Sequence, residues 1–379
     1  MEKQPTQTQF CVLLFATLAT AALSGCNPET ADVMPIRHRN GTPSTSPSPE
    51  PRLSPTAERT PDDTRFASQV ALHSAKAPQA WGLQTDCRQV RVAILDTGAD
   101  LSHPDLVDNL WSNPLETAGN GQDGDGNGHA ADIHGWNFVS SNANTQDDNM
   151  HGTHVAGIVG ASGNNTKGVS GVCWTASIVP VKVFDADGDG FNSDIIDGLD
   201  YAAQMNFRVI NASFGTPSYS KTMEILLNEL ADEGFLVVAA AGNESSNNDT
   251  TASYPASYNS PNIITVGALS YGSVRLASYS NYGKSVDIAA PGSSVFSTLP
   301  SQATAQMTKN GRTASYDYLS GTSMASPHVA ATAALLWSYD PSLSMREVRS
   351  RILDKADVAA ALNDQIDGNR VLNIRKVLE

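Results

Sequence analysis

Three short segments, far apart in this 379-residue chain, carry side chains that do little alone and a great deal together. Near the C-terminus, Gly321-Thr322-Ser323-Met324-Ala325-Ser326-Pro327-His328-Val329 sets a serine among small residues at the head of an apolar run. A serine hydroxyl is a weak nucleophile, so catalysis by Ser323 needs a base to take its proton and a third group to orient that base. Two upstream segments offer the partners. Ile94-Leu95-Asp96-Thr97-Gly98 is an apolar strand ending in an acid, and His151-Gly152-Thr153-His154-Val155-Ala156-Gly157 opens an apolar run with a histidine. Taken alone, an acid before Thr-Gly is an ordinary turn residue. The three segments together specify a chain order of Asp, His, Ser.

That order is one of three unrelated orders in which the same triad geometry recurs. From about Phe66 to the C-terminus the chain resembles the subtilisin-like serine proteases, with Ala239-Ala240-Ala241-Gly242-Asn243 as a fourth motif where that family keeps an oxyanion donor. The resemblance implies that Ser323 attacks, that His151 takes its proton and later protonates the leaving amine, and that Asp96 orients His151. Asn243 would donate to the oxyanion together with the Ser323 backbone amide, at the N-terminus of a helix whose dipole favours negative charge. Of the two neighbouring histidines the family's base matches His151, which leaves His154 a structural residue on the buried helix face.

The same resemblance implies a substrate site. Asn211-Ala212-Ser213-Phe214-Gly215 and Asp187-Gly188-Asp189-Gly190-Phe191 match the two segments that pair with substrate backbone as added strands, a mode that tolerates many sequences. Within them Gly188, Asp189, Gly190, Ser213, Phe214 and Gly215 are the contact residues. By position before Tyr254-Pro255, Ala252 and Ser253 line the pocket for the residue preceding the cleaved bond, with Glu244 at its rim. A small neutral floor favours an apolar or aromatic side chain there.

Cation binding is suggested by two further groups. In Asp123-Gly124-Asp125-Gly126-Asn127-Gly128, followed by Asp132, oxygen-bearing side chains alternate with glycine, a pattern by which hard cations such as Ca2+ gather ligands. The resemblance adds Asp105 and Asn165, with the carbonyls of Gly163, Lys167 and Val169, as a structural calcium loop. Asp185, Asp187 and Asp189 look similar, but the substrate segment accounts for their glycines without a metal.

A scaffold must hold these groups. Short apolar runs at 90–95, 178–183, 209–212, 236–241 and 263–266 read as buried parallel strands. They alternate with helical spacing at 155–161, 195–206, 222–232 and 325–338, and the stretch 345–379 reads as helical packing. The expected fold is a three-layer α/β domain, a mostly parallel sheet with helices on both faces and the site beyond the carboxyl ends of its strands.

Ahead of that domain, an apolar run from Cys11 to Ala22 is too short to span a bilayer and suits a secretory signal. Leu23-Ser24-Gly25-Cys26 looks like a bacterial lipobox, which makes residues 1–25 a signal peptide and Cys26 a lipidated first residue. Residues 26–65, with prolines at 43, 47, 49, 51, 55 and 61, read as a disordered tether, and 66–379 as the catalytic domain. The tether is too short and proline-rich to be a folded propeptide. The expected protein is exported, either held to a membrane of the cell envelope by its lipid or extracellular, and monomeric. Outside the cytoplasm Cys87 and Cys173 favour a disulfide, and family topology sets their strands side by side. A net charge of −15 argues against a nucleic-acid partner and suits cation binding. The expected partners are polypeptide substrates. A lipid-anchored binding protein that lost activity, or a ligase using the same triad, are the rival readings.

Overall fold

The computed structural model describes residues 57–379; the expected signal segment, Cys26 and the tether as far as residue 56 lie outside the described residues. All five apolar runs form strands: β1 (Asp86–Asp96), β2 (Thr175–Lys182), β3 (Val209–Ala212), β4 (Leu236–Ala240) and β5 (Ile263–Leu269). They are joined by β6 (Ile288–Pro291), β7 (Val295–Thr298), β8 (Tyr316–Leu319), β9 (Asp357–Val358) and β10 (Arg370–Val371), which were not expected. The helices are α1 (Val70–Ser74), α2 (Ala77–Ala80), α3 (His151–Gly160), α4 (Asn192–Gln204), α5 (Lys221–Glu233), α6 (Ala305–Lys309), α7 (Thr322–Tyr339), α8 (Met345–Asp354) and α9 (Ile374–Leu378).

An eight-stranded sheet has the order β2-β1-β3-β4-β5-β6-β10-β9. Every pair from β2 to β10 is parallel, and only the short β9 runs antiparallel at the edge. Alternate residues of each strand feed two cores. Val92, Ile94, Val238 and Ile264 pack on one face with α3 and α7, while Ala93, Leu95, Val237 and Ala239 pack on the other with residues of α4 and α5. Burial on both faces is why these strands read as unbroken apolar runs. The result is the three-layer α/β fold. Among the described residues no helix is long and apolar enough to cross a membrane.

Two boundaries differ from expectation. Residues 57–65, expected as tether, lie against the domain: Arg59 N–H donates to Pro78 O at 2.9 Å, its guanidinium lies 4.6 Å from the Trp174 ring centre, and Asp63 is 6% exposed. At the other end the helix begun at Met345 stops at Asp354. Beyond it Asn363, Asp364, Gly368 and Asn369 have φ of 49°, 57°, 58° and 52°, a left-handed conformation that no helix continues through. The helix itself is locally specified by a capping box of Ser344 and Glu347. Cys87 and Cys173 are bonded, with Cα atoms 5.8 Å apart, and Cys173 Sγ lies 3.7 Å from Ala331 O on α7.

Two fully buried histidines give the fold a pH dependence. Burial, the dominant influence, pushes His154 down to about 3 and His328 down to about 4. In the unfolded chain both titrate near the ordinary 6.5, so below that value the unfolded state binds more protons. The stability they contribute is present in full above 6.5 and is lost as pH falls toward 3 to 4. Melting curves of the inactive Ser323→Ala protein should show a Tm that declines below about pH 6.5, with a smaller decline after His328→Asn. A slope that His328→Asn leaves unchanged would overturn this.

Candidate active site

Ser323 is the second residue of α7, whose first-turn N–H groups have no partner within the helix. Small residues, Ala325, Ala330, Ala331, Ala333 and Ala334, let this buried helix lie close on the sheet. Pro327 stands inside it and has no N–H to give to the carbonyl four residues back, which is that of Ser323. That carbonyl accepts instead from Ser213 Oγ at 2.9 Å, and Ser323 Oγ donates to Ser213 O at 2.9 Å. The two serines are thus locked reciprocally, so the end of β3 and the head of α7 move as one piece.

Asp96 ends β1 and is 1% exposed. His151 opens α3, and its Nδ1 lies 2.8 Å and 3.0 Å from the two Asp96 oxygens. Gly152 makes the approach possible, since a Cβ there would stand 2.0 Å from Gly98 O. Burial alone would depress the His151 imidazolium, but the Asp96 carboxylate outweighs it and holds the pKa above the ordinary value. Asp147 braces the pair from below, accepting from Thr97 Oγ1, Asn149 N and both the N and Oγ1 of Thr153 at 2.6–2.9 Å. His154 is turned away: its Nε2 meets Val295 O at 3.0 Å. Among the described residues no hydrogen bond joins Ser323 Oγ to His151. One staggered rotation of the serine χ1 separates the hydroxyl's seat on Ser213 from other directions.

Asn243 lies just past β4. Its Oδ1 accepts from Thr322 N at 2.8 Å and Thr322 Oγ1 at 3.1 Å, which leaves Nδ2 without a partner among the described residues. A Cβ added at Gly321 would lie 3.6 Å from Ser323 N and 3.7 Å from Asn243 Nδ2, so both donors border one small space. Two N–H groups converging beside a serine hydroxyl can hold a developing oxyanion.

A cleft of about 490 Å3 runs between the loops after β2 and β3. It brings together Asp96, His151, Gly188, Asp189, Gly190, Ser213, Phe214 and Gly215, and adds Phe184 and Ile195 as an apolar wall. The turn at 185–189 is self-satisfied, with Asp185 Oδ1 accepting from the N–H groups of Asp187 and Asp189 at 3.0 Å. Adjoining it, a pocket of about 170 Å3 is lined by Gly215, Thr216, Glu244, Ala252, Ser253 and Asn281 among others.

The cation candidates fare differently. Asp123 and Asp125 come together with Glu116, one oxygen from each lying within 4.8 Å of the others. This hard-oxygen donor set suits Ca2+. Asn127 and Asp132 are joined to each other at 2.9 Å, but Asp132 is 0% exposed and faces inward, accepting from Tyr201 OH at 2.6 Å and Asn113 Nδ2 at 2.8 Å. Asp105 and Asn165 do meet, at 3.0 Å; the remaining Asp105 oxygen already accepts from Val169 N and Tyr316 OH at 2.9 Å.

Sequence reasoning missed Glu116, Asp147, Asn281 and Lys182. Glu116 sits seven residues ahead of the Gly-rich run and nothing local marks it. Lys182 ends an apolar run, and an ionisable residue in a strand that should be buried was a usable signal.

The subtilase family profile matches residues 88–371. The chain is 38% identical over 309 residues to the thermophilic serine proteinase of Bacillus sp. (strain AK1), covering 81% of this chain and 67% of that one. It is 36% identical over 299 residues to thermitase of Thermoactinomyces vulgaris, covering 79% and 92%. Subtilisin E of Bacillus subtilis (strain 168) matches at 39% over 283 residues, 74% and 64%. Among solved structures, a protease of Pseudoalteromonas arctica superposes with a TM-score of 0.66 at 32% identity, over 84% of this chain and 99% of its own. An Asp-His pair and a helix-head serine at the strand ends of a parallel sheet thus accompany similarity over three quarters of the chain, which belongs to the subtilase family and is a serine-type endopeptidase.

Proposed function

We propose that this enzyme cleaves polypeptides through an acyl-enzyme on Ser323, with His151 as general base and then acid, Asp96 as its orienting partner, and Asn243 Nδ2 with the Ser323 amide as oxyanion donors. The observation that carries the reading is the unpartnered Asn243 Nδ2 bordering the orphan N–H of Ser323, together with the Asp96–His151 pair. In subtilisin, the system in which it was measured, loss of the corresponding asparagine costs about 10² to 10³ in turnover. The substrate lies extended between 188–190 and 213–215, so main-chain pairing gives breadth. The pocket over Ala252 and Ser253 takes an apolar or aromatic side chain.

Ser323→Ala should abolish hydrolysis of a diverse peptide library, read by mass spectrometry, while the protein still folds and melts cooperatively. Wild-type turnover in that variant would sink the nucleophile assignment. His151→Ala should be equally damaging, whereas His154→Ala should act through stability. Only neutral His151 accepts a proton, so kcat/KM should rise with pH through a midpoint above 6.5. Asp96→Asn removes the group that raises this pKa; the midpoint should move down and kcat fall by about 10⁴. An unmoved midpoint would exclude Asp96 as the partner.

We further propose structural Ca2+ at Glu116, Asp123 and Asp125, with the Asp105–Asn165 loop as a second candidate; each of these carboxylates also accepts from protein N–H groups. An ion that binds only the folded state stabilises it by RT ln(1 + [L]/Kd), about 2.7 kcal/mol at roughly a hundredfold excess over Kd. On the Ser323→Ala protein, a chelator should lower Tm, and Asp123→Ala with Asp125→Ala should remove part of the shift. Identical curves with and without chelator would rule out strippable calcium.

Export by the signal at 1–25 and anchoring through Cys26 complete the proposal. Stable attachment needs more than one lipid chain, at about 0.8 kcal/mol per buried methylene. Cys26→Ser should leave the membrane fraction of the host; retention there with unchanged processing would refute the anchor.

A further inference from the structure

Asn281 lies in the loop between β5 and β6, is 1% exposed, and touches neither the Asp96–His151 pair nor Ser323. It nevertheless holds four backbone groups of the turn that presents Asn243, those of Ala241 O, Gly242 O, Glu244 N and Ser246 N. Its N–H donates to Gly242 O at 2.9 Å. Its Oδ1 accepts from the N–H groups of Glu244 at 2.9 Å and Ser246 at 3.0 Å. Its Nδ2 shares two protons among Ala241 O at 3.1 Å, Glu244 Oε2 at 2.8 Å and Asn248 Oδ1 at 3.1 Å. Glu244 Oε2 in turn accepts the backbone N–H of Asn243 at 2.9 Å. A continuous chain therefore runs from the Asn281 amide through the Glu244 carboxylate to the Asn243 backbone.

The turn needs such a brace. Gly242 at φ 111° and Ser245 at φ 56° take the chain through left-handed conformations, so its carbonyls and N–H groups point outward rather than at one another. A Cβ at Gly242 would stand 2.3 Å from Asn281 Nδ2 and 2.6 Å from Glu244 Oε2, which shows how closely the brace is fitted. A primary amide offers two acceptor lone pairs and two protons in one plane, and the turn presents two N–H groups on one side and oxygens on the other. Asp lacks the protons, and Ser lacks the reach.

We propose that Asn281 is a positioning residue that fixes where the Asn243 carboxamide points, acting through the Glu244 carboxylate and the turn at 241–246. The proposal rests on the reading of Asn243 as an oxyanion donor. Preorganised donors must sit within a few tenths of an ångström of the developing charge, and a misplacement of about 1 Å costs on the order of 10²-fold. Asn281 thus governs turnover more than substrate affinity.

The test is a double-mutant cycle on the full-length enzyme with a peptide amide substrate whose residue before the cleaved bond is neutral. Asn243→Ala should lower kcat by about 10² to 10³. Asn281→Asp should lower kcat by about 10- to 100-fold with KM changed by less than about threefold, and in the Asn243→Ala background its further cost should be at most about twofold. Asn281→Asp sets a carboxylate against that of Glu244, so its loss should shrink as pH falls and one of the two takes a proton. Asn281→Ser, if the Asp variant melts too low to assay, should show the same non-additivity. Losses that multiply in the double mutant would overturn the positioning role while leaving Asn243 in place. An Asn243→Ala enzyme with undiminished kcat would overturn the oxyanion reading itself, and the role of Asn281 with it.

Discussion

The buried N-terminus of α7, set against the carboxyl ends of β3 and β4, is the constraint on which this site depends. A helix end leaves N–H groups unpaired, and burying them in protein is costly unless something accepts from them. Asn243 Oδ1 satisfies the first, that of Thr322, and in doing so turns its own Nδ2 outward beside the second, that of Ser323. One acceptor bond therefore both relieves the helix end and aims a donor. Pro327 contributes from the other side, by freeing the Ser323 carbonyl for Ser213 Oγ and so binding the helix head to β3. The serine is held by what the helix cannot satisfy internally.

The acid and base are governed by a different economy, that of buried charge. Lys182 ends β2 with a side chain only 3% exposed, and an ammonium there is tolerable only when each proton has an acceptor. Three are present: Thr97 O at 2.7 Å, Asp148 Oδ1 at 2.7 Å and Phe184 O at 2.9 Å. These belong to the residue after Asp96, to the loop that leads into His151, and to the wall of the cleft. Asp147 joins the same elements from the opposite direction through Thr97 and Thr153. Its burial pushes it up to about 6 despite four donors. A cation and an anion thus draw the same two loops together, and the geometry between Asp96 and His151 follows from that closure.

The sheet was legible because strands buried on both faces are unbroken apolar runs, and the Asp96–His151 pair because its residues sit in short segments with small neighbours. What escaped was relational. Residues 90–95 gave away β1 but not its polar start at Asp86, and β6, Ile288–Pro291, ends in a proline, which reads as a loop rather than a strand. The stretch 345–379 reads as helical packing, yet four left-handed residues break it, at Asn363-Asp364 and Gly368-Asn369, residue types that visit that region more readily than others. The spacing in the acidic loop marked Asp123, Asp125 and Asp132 alike but could not tell that Asp132 faces Tyr201 while Glu116 lies beside Asp123 and Asp125. Alternation along a loop says which residues carry oxygen and not which way they point.

Asn281 shows the same limit at the site itself. In the sequence it is one asparagine in Ser280-Asn281-Tyr282-Gly283, a string that reads as a turn. Its partners lie 33 to 40 residues upstream, so no local pattern could pair them. Yet catalysis by preorganised dipoles requires such residues, because a donor that must be aimed before charge develops cannot be left to find its own direction. The groups that do chemistry announce themselves by type. The groups that aim them are ordinary polar residues, distinguishable only by being buried with every hydrogen-bonding atom engaged.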